Sequence, residues 1–179
     1  AQCLVGSEDV YKRQNVKRVH KTAPAERNTI RLNALLKPAA NKEVLMKLGF
    51  IGCGNMAKAM IKGIIASGAV APGEIYGSNA TPEHAAAVAE EFGINAGTNN
   101  ITVAENADIL FLSVKPYQYE AVIAEIRGAM RPEQTVVTIA PGKTIAWLEE
   151  QFGTPVRIVR TAPNTPAHVL AGVTAYCPN

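Results

Sequence analysis

Six consecutive residues, Gly52-Cys53-Gly54-Asn55-Met56-Ala57, have the types and spacing to hold a phosphate. In this G-x-G-x-x-A pattern the first glycine lets a strand turn sharply, the second lets backbone approach a pyrophosphate, and the alanine lets the next helix pack closely. A helix that begins there offers free N–H groups to the anion. Alone the pattern is weak, and context gives it weight. It follows the apolar run MKLGFI (46–51) and precedes AKAMIKGIIASG, where Met60, Ile61, Ile64 and Ile65 share one helical face before Gly68. At the end of the next strand an NAD enzyme usually sets an acid against the ribose 2′-hydroxyl. This chain has Ser78, Asn79, Ala80 and Thr81 there. Small hydroxyl and amide groups donate to a 2′-phosphate that a carboxylate would repel, so NADP(H) is favoured over NAD(H). No arginine stands there to grip that phosphate with two bonds.

These residues need a parallel sheet to position them. From Met46 onward, strand-length apolar runs alternate with helical patterns, which implies crossover units and an α/β fold of the Rossmann type, doubly wound with helices on both faces. EIYGSN (74–79) reads as the second strand. Thr81 then caps a helix that has Pro82 at its first position and ends at Gly93. ADILFLSV (107–114) is hydrophobic throughout and is expected to be a central strand covered on both faces. QTVVTIA (134–140) and VRIVRT (156–161) supply two more strands, with helices beginning near Pro116 and Thr144. Trp147, in the second of these helices, reads as core packing.

At 179 residues, 47% hydrophobic and 18% charged, the chain has room for one cored domain and an appendage. No apolar run approaches the roughly 18 to 20 residues of a membrane span, and no secretory signal is visible, so a cytoplasmic setting without membrane contact is expected. Cys3, Cys53 and Cys177 are odd in number and far apart, which favours reduced thiols over a disulfide framework. His84 and His168 have no third ligand at metal spacing, so no metal site is expected. Residues 1–45 carry nine Lys and Arg against four Asp and Glu, while the remainder carries nine against eleven. The basic character therefore belongs to the first segment. Its charges are scattered without aromatic interleaving, which argues against nucleic-acid binding, and residues 1–45 read as a non-native or disordered extension whose first fourteen residues resemble translated adapter sequence.

The segments MKLGFIGCGNMAKAMIKG, ADILFLSVKP, VVTIAPG and VRTAPNTPA, in this order and spacing, resemble the N-terminal domain of pyrroline-5-carboxylate reductases. The resemblance covers residues 46–179 and makes them the dinucleotide-binding domain. It implies that Ile51, Gly52, Cys53, Gly54, Asn55 and Met56 wrap the pyrophosphate. Ser78 and Asn79 would meet the ribose phosphate, with Asn100 near the adenosine half. Ser113, Val114, Lys115 and Pro116, together with Ile139, Ala140 and Pro141, would line the nicotinamide side. Cys53 is expected to contribute its backbone alone. Lys115 is either a solvated lysine at a strand end or a group beside cofactor or substrate carboxylate. Asn164, between Pro163 and Thr165-Pro166, either fixes a turn or contributes to the site. Ala162 stands where the family usually has Met, Pro141 where it often has Ala, and Leu170 where Gly is common.

The implied activity is NADPH-dependent reduction of the C=N bond of Δ1-pyrroline-5-carboxylate to L-proline, a small-molecule substrate. The catalytic groups would come largely from a C-terminal helical domain that also forms the homo-oligomer, and the chain ends at Asn179 just where that domain would begin. This portion would then bind cofactor only, with an apolar face exposed where the helices dock. The alternatives are another Rossmann reductase, such as a hydroxyacid dehydrogenase or a deazaflavin-linked NADP reductase, and a nucleotide-binding module without turnover.

Overall fold

Strands and capped helices alternate through residues 46–179, the part of the chain that this computed structural model describes. The expected extension at residues 1–45 lies outside the described residues. The elements run β1 (Leu48–Ile51), α1 (Asn55–Ala66), β2 (Ile75–Ser78), α2 (Pro82–Phe92), β3 (Asn95–Gly97), α3 (Asn100–Asn106) and β4 (Ile109–Leu112). They continue through α4 (Tyr119–Ile126), β5 (Thr135–Thr138), α5 (Ile145–Phe152), β6 (Arg157–Ala162) and β7 (Ala175–Pro178).

Local signals set most of the boundaries. Thr81 Oγ1 accepts the His84 amide at 3.4 Å and Pro82 opens α2, which Gly93 closes in the left-handed conformation at φ 67°. Thr144 Oγ1 likewise caps α5 through the Trp147 amide at 3.1 Å, and Gly153 ends that helix at φ 67°. A cap of this kind stabilises a helix by about 1 kcal/mol. Short α3 depends on its cap, because Asn99 Oδ1 accepts from both Ile101 and Thr102.

The seven strands order as β3-β2-β1-β4-β5-β6-β7, all parallel except β7, which pairs antiparallel with β6. The order reverses between β1 and β4, so the cleft of this doubly wound sheet opens at their carboxyl ends. One face of the sheet presents Leu110, Leu112, Val136 and Ile158 to a core completed by Tyr119, Ile123, Ile126, Leu148 and Phe152. The other presents Leu48, Phe50 and Ile75 to Ile61, Ile64 and Val88. Phe50 and Phe111 stack across β1 and β4 with ring centroids 4.4 Å apart. A fully buried Phe of this kind contributes roughly 1.5–3 kcal/mol.

The opposite edge of the sheet is tied by polar groups. Asp108 accepts the Lys47 amide at 2.9 Å and pairs with Arg131, whose guanidinium also reaches the Glu105 and Ala107 carbonyls. Buried Gln134 donates to the Ala104 and Ala107 carbonyls. Three elements go beyond the sequence reading: β3, α3 and β7. Ile109 and Phe111 of β4 are half-buried, so the expected two-sided cover of that strand is complete on one face only. Val169, Val173 and Tyr176 are exposed around β7. Among the described residues no helix is long and apolar enough to cross a membrane.

Two glycines test this packing in opposite directions. A Cβ on Gly49 would stand 2.7 Å from Ala107 Cβ and 2.8 Å from Val103 Cγ1, whereas one on Gly63 would meet only Leu170 Cδ2, at 3.6 Å. Gly49→Ala should therefore destabilise by about 1–3 kcal/mol through overpacking. Gly63→Ala, inside α1, should stabilise by about 0.5–1 kcal/mol. Denaturant melts of the two variants check this, and a stabilised Gly49→Ala would refute the β1–α3 packing.

Candidate functional site

The glycine turn after β1 is shaped by contacts on two sides. Gly52 adopts φ +88°, and a Cβ there would lie 2.7 Å from Val114 Cγ1 and 3.0 Å from the Val114 nitrogen. Its position therefore demands glycine twice, by conformation and by space. The Gly52 and Cys53 amides both donate to the Ser78 carbonyl, at 3.0 and 3.1 Å, which fixes the turn to the end of β2. Gly54 follows with φ −76° and no side-chain cap, and a Cβ on it would have nothing within 4 Å. The first turn of α1 carries no acidic residue. Its leading N–H groups have no partner within the helix and point along the positive end of its dipole, an arrangement that favours an anion.

The end of β2 turns one of its two candidate side chains inward. Ser78 is buried, and its hydroxyl donates to Asn100 Oδ1 at 2.7 Å instead of facing outward. Asn100 in turn donates to Glu125 at 2.8 Å. The strand ends with the Asn79 amide bonded to the Gly97 carbonyl at 3.0 Å, which places the short β3 beside it. Asn79 is half-buried while Ala80 and Thr81 are exposed, and the first carboxylate beyond them is Glu83 in α2. Ser78 thus spends its hydroxyl proton within the protein, while Asn79 and Ala80 stand at the open end of β2.

On the far side of the turn, Ser113 follows β4 and its amide donates to the Ile51 carbonyl at 2.8 Å. Ser113 Oγ is buried without a hydrogen-bond partner in the structure. A buried polar atom left unpaired costs about 1–3 kcal/mol, so a cleft that exposes it to a ligand group relieves that cost. Val114 lies under Gly52, Lys115 is exposed, and Pro116 opens a 3-10 turn into α4. Ile139, Ala140 and exposed Pro141 follow β5, the neighbouring strand. Open space over Gly54, free N–H groups at a helix start and an orphaned hydroxyl across the cleft fit an extended dinucleotide.

Ile51 to Met56, Ser78, Asn79, Asn100, Ser113 to Pro116 and Ile139 to Pro141 therefore converge on the carboxyl edge of β1, β2, β4 and β5. Asn164 lies farther along, after β6. Its Oδ1 accepts the Val173 amide at 2.8 Å, so the turn-fixing reading of Asn164 is the one that the geometry carries. The same loop holds Leu170 at φ 58°, the one non-glycine residue with positive φ among those described. Cys53 does more than lend its backbone. Its side chain is 3% exposed, and Sγ occupies the notch that a Cβ on Gly77 would fill, 2.7 Å away. Burial pushes the Cys53 thiol up to about 11. Trp147 packs at the edge of the core as expected, and Lys143 Nζ sits 3.7 Å over its ring. Sequence reasoning missed Glu125 and Tyr119. The signal for Tyr119 was a phenol in an inward-facing helical position, where it needs a hydrogen-bond partner.

Residues 47–142 match the family model described as NADP oxidoreductase, coenzyme F420-dependent. The chain is 46% identical over 133 residues to the pyrroline-5-carboxylate reductase of Escherichia coli (strain K12), covering 74% of this chain and 49% of that protein. Among solved structures it is similar to a pyrroline-5-carboxylate reductase from Coxiella burnetii, at 34% identity and a TM-score of 0.72, over 75% of this chain and 50% of the other. It is also similar to the Plasmodium falciparum pyrroline carboxylate reductase with NADP bound, at 28% identity and a TM-score of 0.66, over 75% and 48%. The chain spans about half the length of the curated relatives it matches.

Two outcomes follow from the turn. Gly54→Ala should keep the parent melting temperature, since its Cβ meets no protein atom, yet weaken dinucleotide binding at least tenfold by standing where the phosphate approaches. Isothermal titration beside a thermal melt separates the two effects. Cys53 supplies a pH dependence. Its folded value lies above the ordinary 9.0, so its contribution to stability is whole below about pH 9 and is lost as pH rises toward about 11. Cys53→Ala should therefore lose stability less steeply than the parent across that window, measured by urea melts at successive pH values.

Proposed function

This chain belongs to the family of NADP oxidoreductases described as coenzyme F420-dependent, and we propose that residues 46–179 are the NADPH-binding domain of a pyrroline-5-carboxylate reductase. The full-length protein then reduces the C=N bond of Δ1-pyrroline-5-carboxylate to L-proline. The observation that carries the reading is the glycine turn itself. Its amides are pinned to β2, its first helical N–H groups are free, and it sits at the reversal of strand order beside an orphaned Ser113 hydroxyl.

NADPH, when bound, supplies the hydride that goes to the imine carbon. The residues of this chain hold and orient it. The start of α1 takes the pyrophosphate, Asn79 and nearby backbone take the 2′-phosphate, and the Ser113–Pro116 and Ile139–Pro141 loops flank the nicotinamide. Ser113 Oγ is the natural partner for its carboxamide. Lys115, exposed at the strand end, is suited to a substrate carboxylate. Positioning the acceptor in line with the nicotinamide is worth roughly 7 to 11 kcal/mol, and on this reading most of the groups that do so lie outside the described residues.

NADPH should bind this chain more tightly than NADH by about 1–2 kcal/mol, the scale of one charge-assisted hydrogen bond. Nicotinamide fluorescence titration reads it, and equal affinities would remove the case for NADP. Asn79→Asp should reverse the order. With Δ1-pyrroline-5-carboxylate added, the chain by itself should bind NADPH without oxidising it. Turnover near the enzyme median of about 10 per second would show that these residues already hold a whole active site.

A further inference from the structure

We propose that Tyr119 is a positioning residue for the nicotinamide side of the cleft, its buried phenol setting the spacing between the loops that follow β4 and β5. The inference rests on the NADPH reading above and deepens it.

Tyr119 is the first residue of α4 and its side chain is fully buried. Its hydroxyl lies 2.5 Å from the Leu112 carbonyl, at the last residue of β4, and 2.9 Å from Thr138 Oγ1, at the last residue of β5. The direction of each bond follows from the donor inventory. A carbonyl only accepts, so the single phenol proton goes to Leu112, and the Thr138 hydroxyl donates to the phenol oxygen. Thr138 Oγ1 then has a lone pair for the Ala140 amide, 3.3 Å away. The Thr138 carbonyl accepts from Thr161 Oγ1 at 2.9 Å, which brings in β6. Every partner in this buried chain is satisfied, the condition under which a polar network fixes geometry instead of costing stability.

The network touches both nicotinamide loops at their roots. On one side Leu112 leads into Ser113, whose amide holds the Ile51 carbonyl, and then into Val114, against which Gly52 turns. On the other, Thr138 leads into Ile139 and Ala140, whose amides also approach the phenol oxygen. Burial raises the Tyr119 phenol above its ordinary 10.0, with Thr138 and those amides only partly offsetting it, so the group stays a neutral donor through the working pH range. Without the hydroxyl, the Leu112 carbonyl loses its donor and the Thr138 hydroxyl loses its acceptor and keeps only the Ala140 amide, so the tie between the two loops is cut. The Ser78–Asn100–Glu125 chain at the adenosine end shares no atom with this network.

Tyr119→Phe keeps the ring and removes the hydroxyl. Its affinity for NADPH should fall about five- to tenfold, roughly the effect of one hydrogen bond. Affinity for 2′,5′-ADP, which carries the adenosine and the 2′-phosphate but no nicotinamide, should stay within about twofold of the parent. A merely structural role moves both ligands together, and that result, or an unchanged NADPH affinity, overturns the proposal. Thr138→Val should reproduce the selective loss while Thr138→Ser, which keeps the hydroxyl, restores parent binding. Equal loss in both Thr138 variants also overturns it. If the parent chain fails to bind NADPH, the proposed function falls and this inference with it, whereas a parent that binds beside an unaltered Tyr119→Phe removes the inference alone.

Discussion

The contact between Gly52 and Val114 is the constraint on which the cleft depends. With 2.7 Å between a would-be Cβ and Val114 Cγ1, the turn after β1 presses directly on the segment after β4. Two amides of the turn are meanwhile spent on the Ser78 carbonyl of β2. The turn is thus held from both neighbouring strands, and its remaining freedom is the direction in which α1 leaves. Because Ala57 is 1% exposed and packs with Leu48 and Phe50 in one core, that direction is fixed too. The start of a helix offers its free N–H groups in the direction of its axis, and here that direction is set by close contacts that no larger residue at position 52 would permit.

Much of this was legible in the sequence because the signals were local. Thr81-Pro82 and Gly93 bound α2, and the apolar run 107–114 holds a central strand, since each of those residues acts within a few positions of itself. The elements that escaped are those whose reason is distant. Strand β3 is only Asn95-Ala96-Gly97, with no apolar alternation, and it exists because β2 offers an open edge. Helix α3 is seven polar-rich residues that stand on the Asn99 cap and on Val103 and Ala104 packing inward. At the candidate site, the gathering of these segments at one edge of the sheet was legible and some side-chain contacts were not. Ser78 looks like a surface donor in the sequence, but its partner Asn100 is 22 residues away and no pattern connects them. Cys53 is likewise invisible as a packing residue until Gly77 of β2 is laid beside it.

Leu170 shows how a departure in sequence becomes a physical cost. The position has φ 58° and ψ 22°, a conformation that costs a non-glycine residue about 1–3 kcal/mol. The turn is imposed from both sides: Gly172 has room for no side chain against Ala167, and Asn164 holds the Val173 amide. Leucine recovers part of the cost by laying Cδ2 over Gly63 of α1, 3.6 Å from where a Cβ would stand. The loop after β6 is thereby anchored to the helix whose other end faces the cleft.

The distribution of satisfied and unsatisfied polar groups divides the cleft into two kinds of surface. At the end of β2 Ser78, Asn100 and Glu125 bond to one another, so their orientations are set before any ligand arrives. Beneath the loops that follow β4 and β5 Tyr119 and Thr138 do the same. Between these braced regions, Ser113 Oγ is the one buried side-chain polar atom without a partner among the described residues. A fold that pairs the others has no packing reason to leave this one, because alanine would fit the same space without the desolvation cost. On the proposed function the cost is recovered when a polar ligand group reaches Ser113. Affinity then gains from a hydroxyl that has no partner of its own to give up, placed by the backbone bond of Ser113 to Ile51.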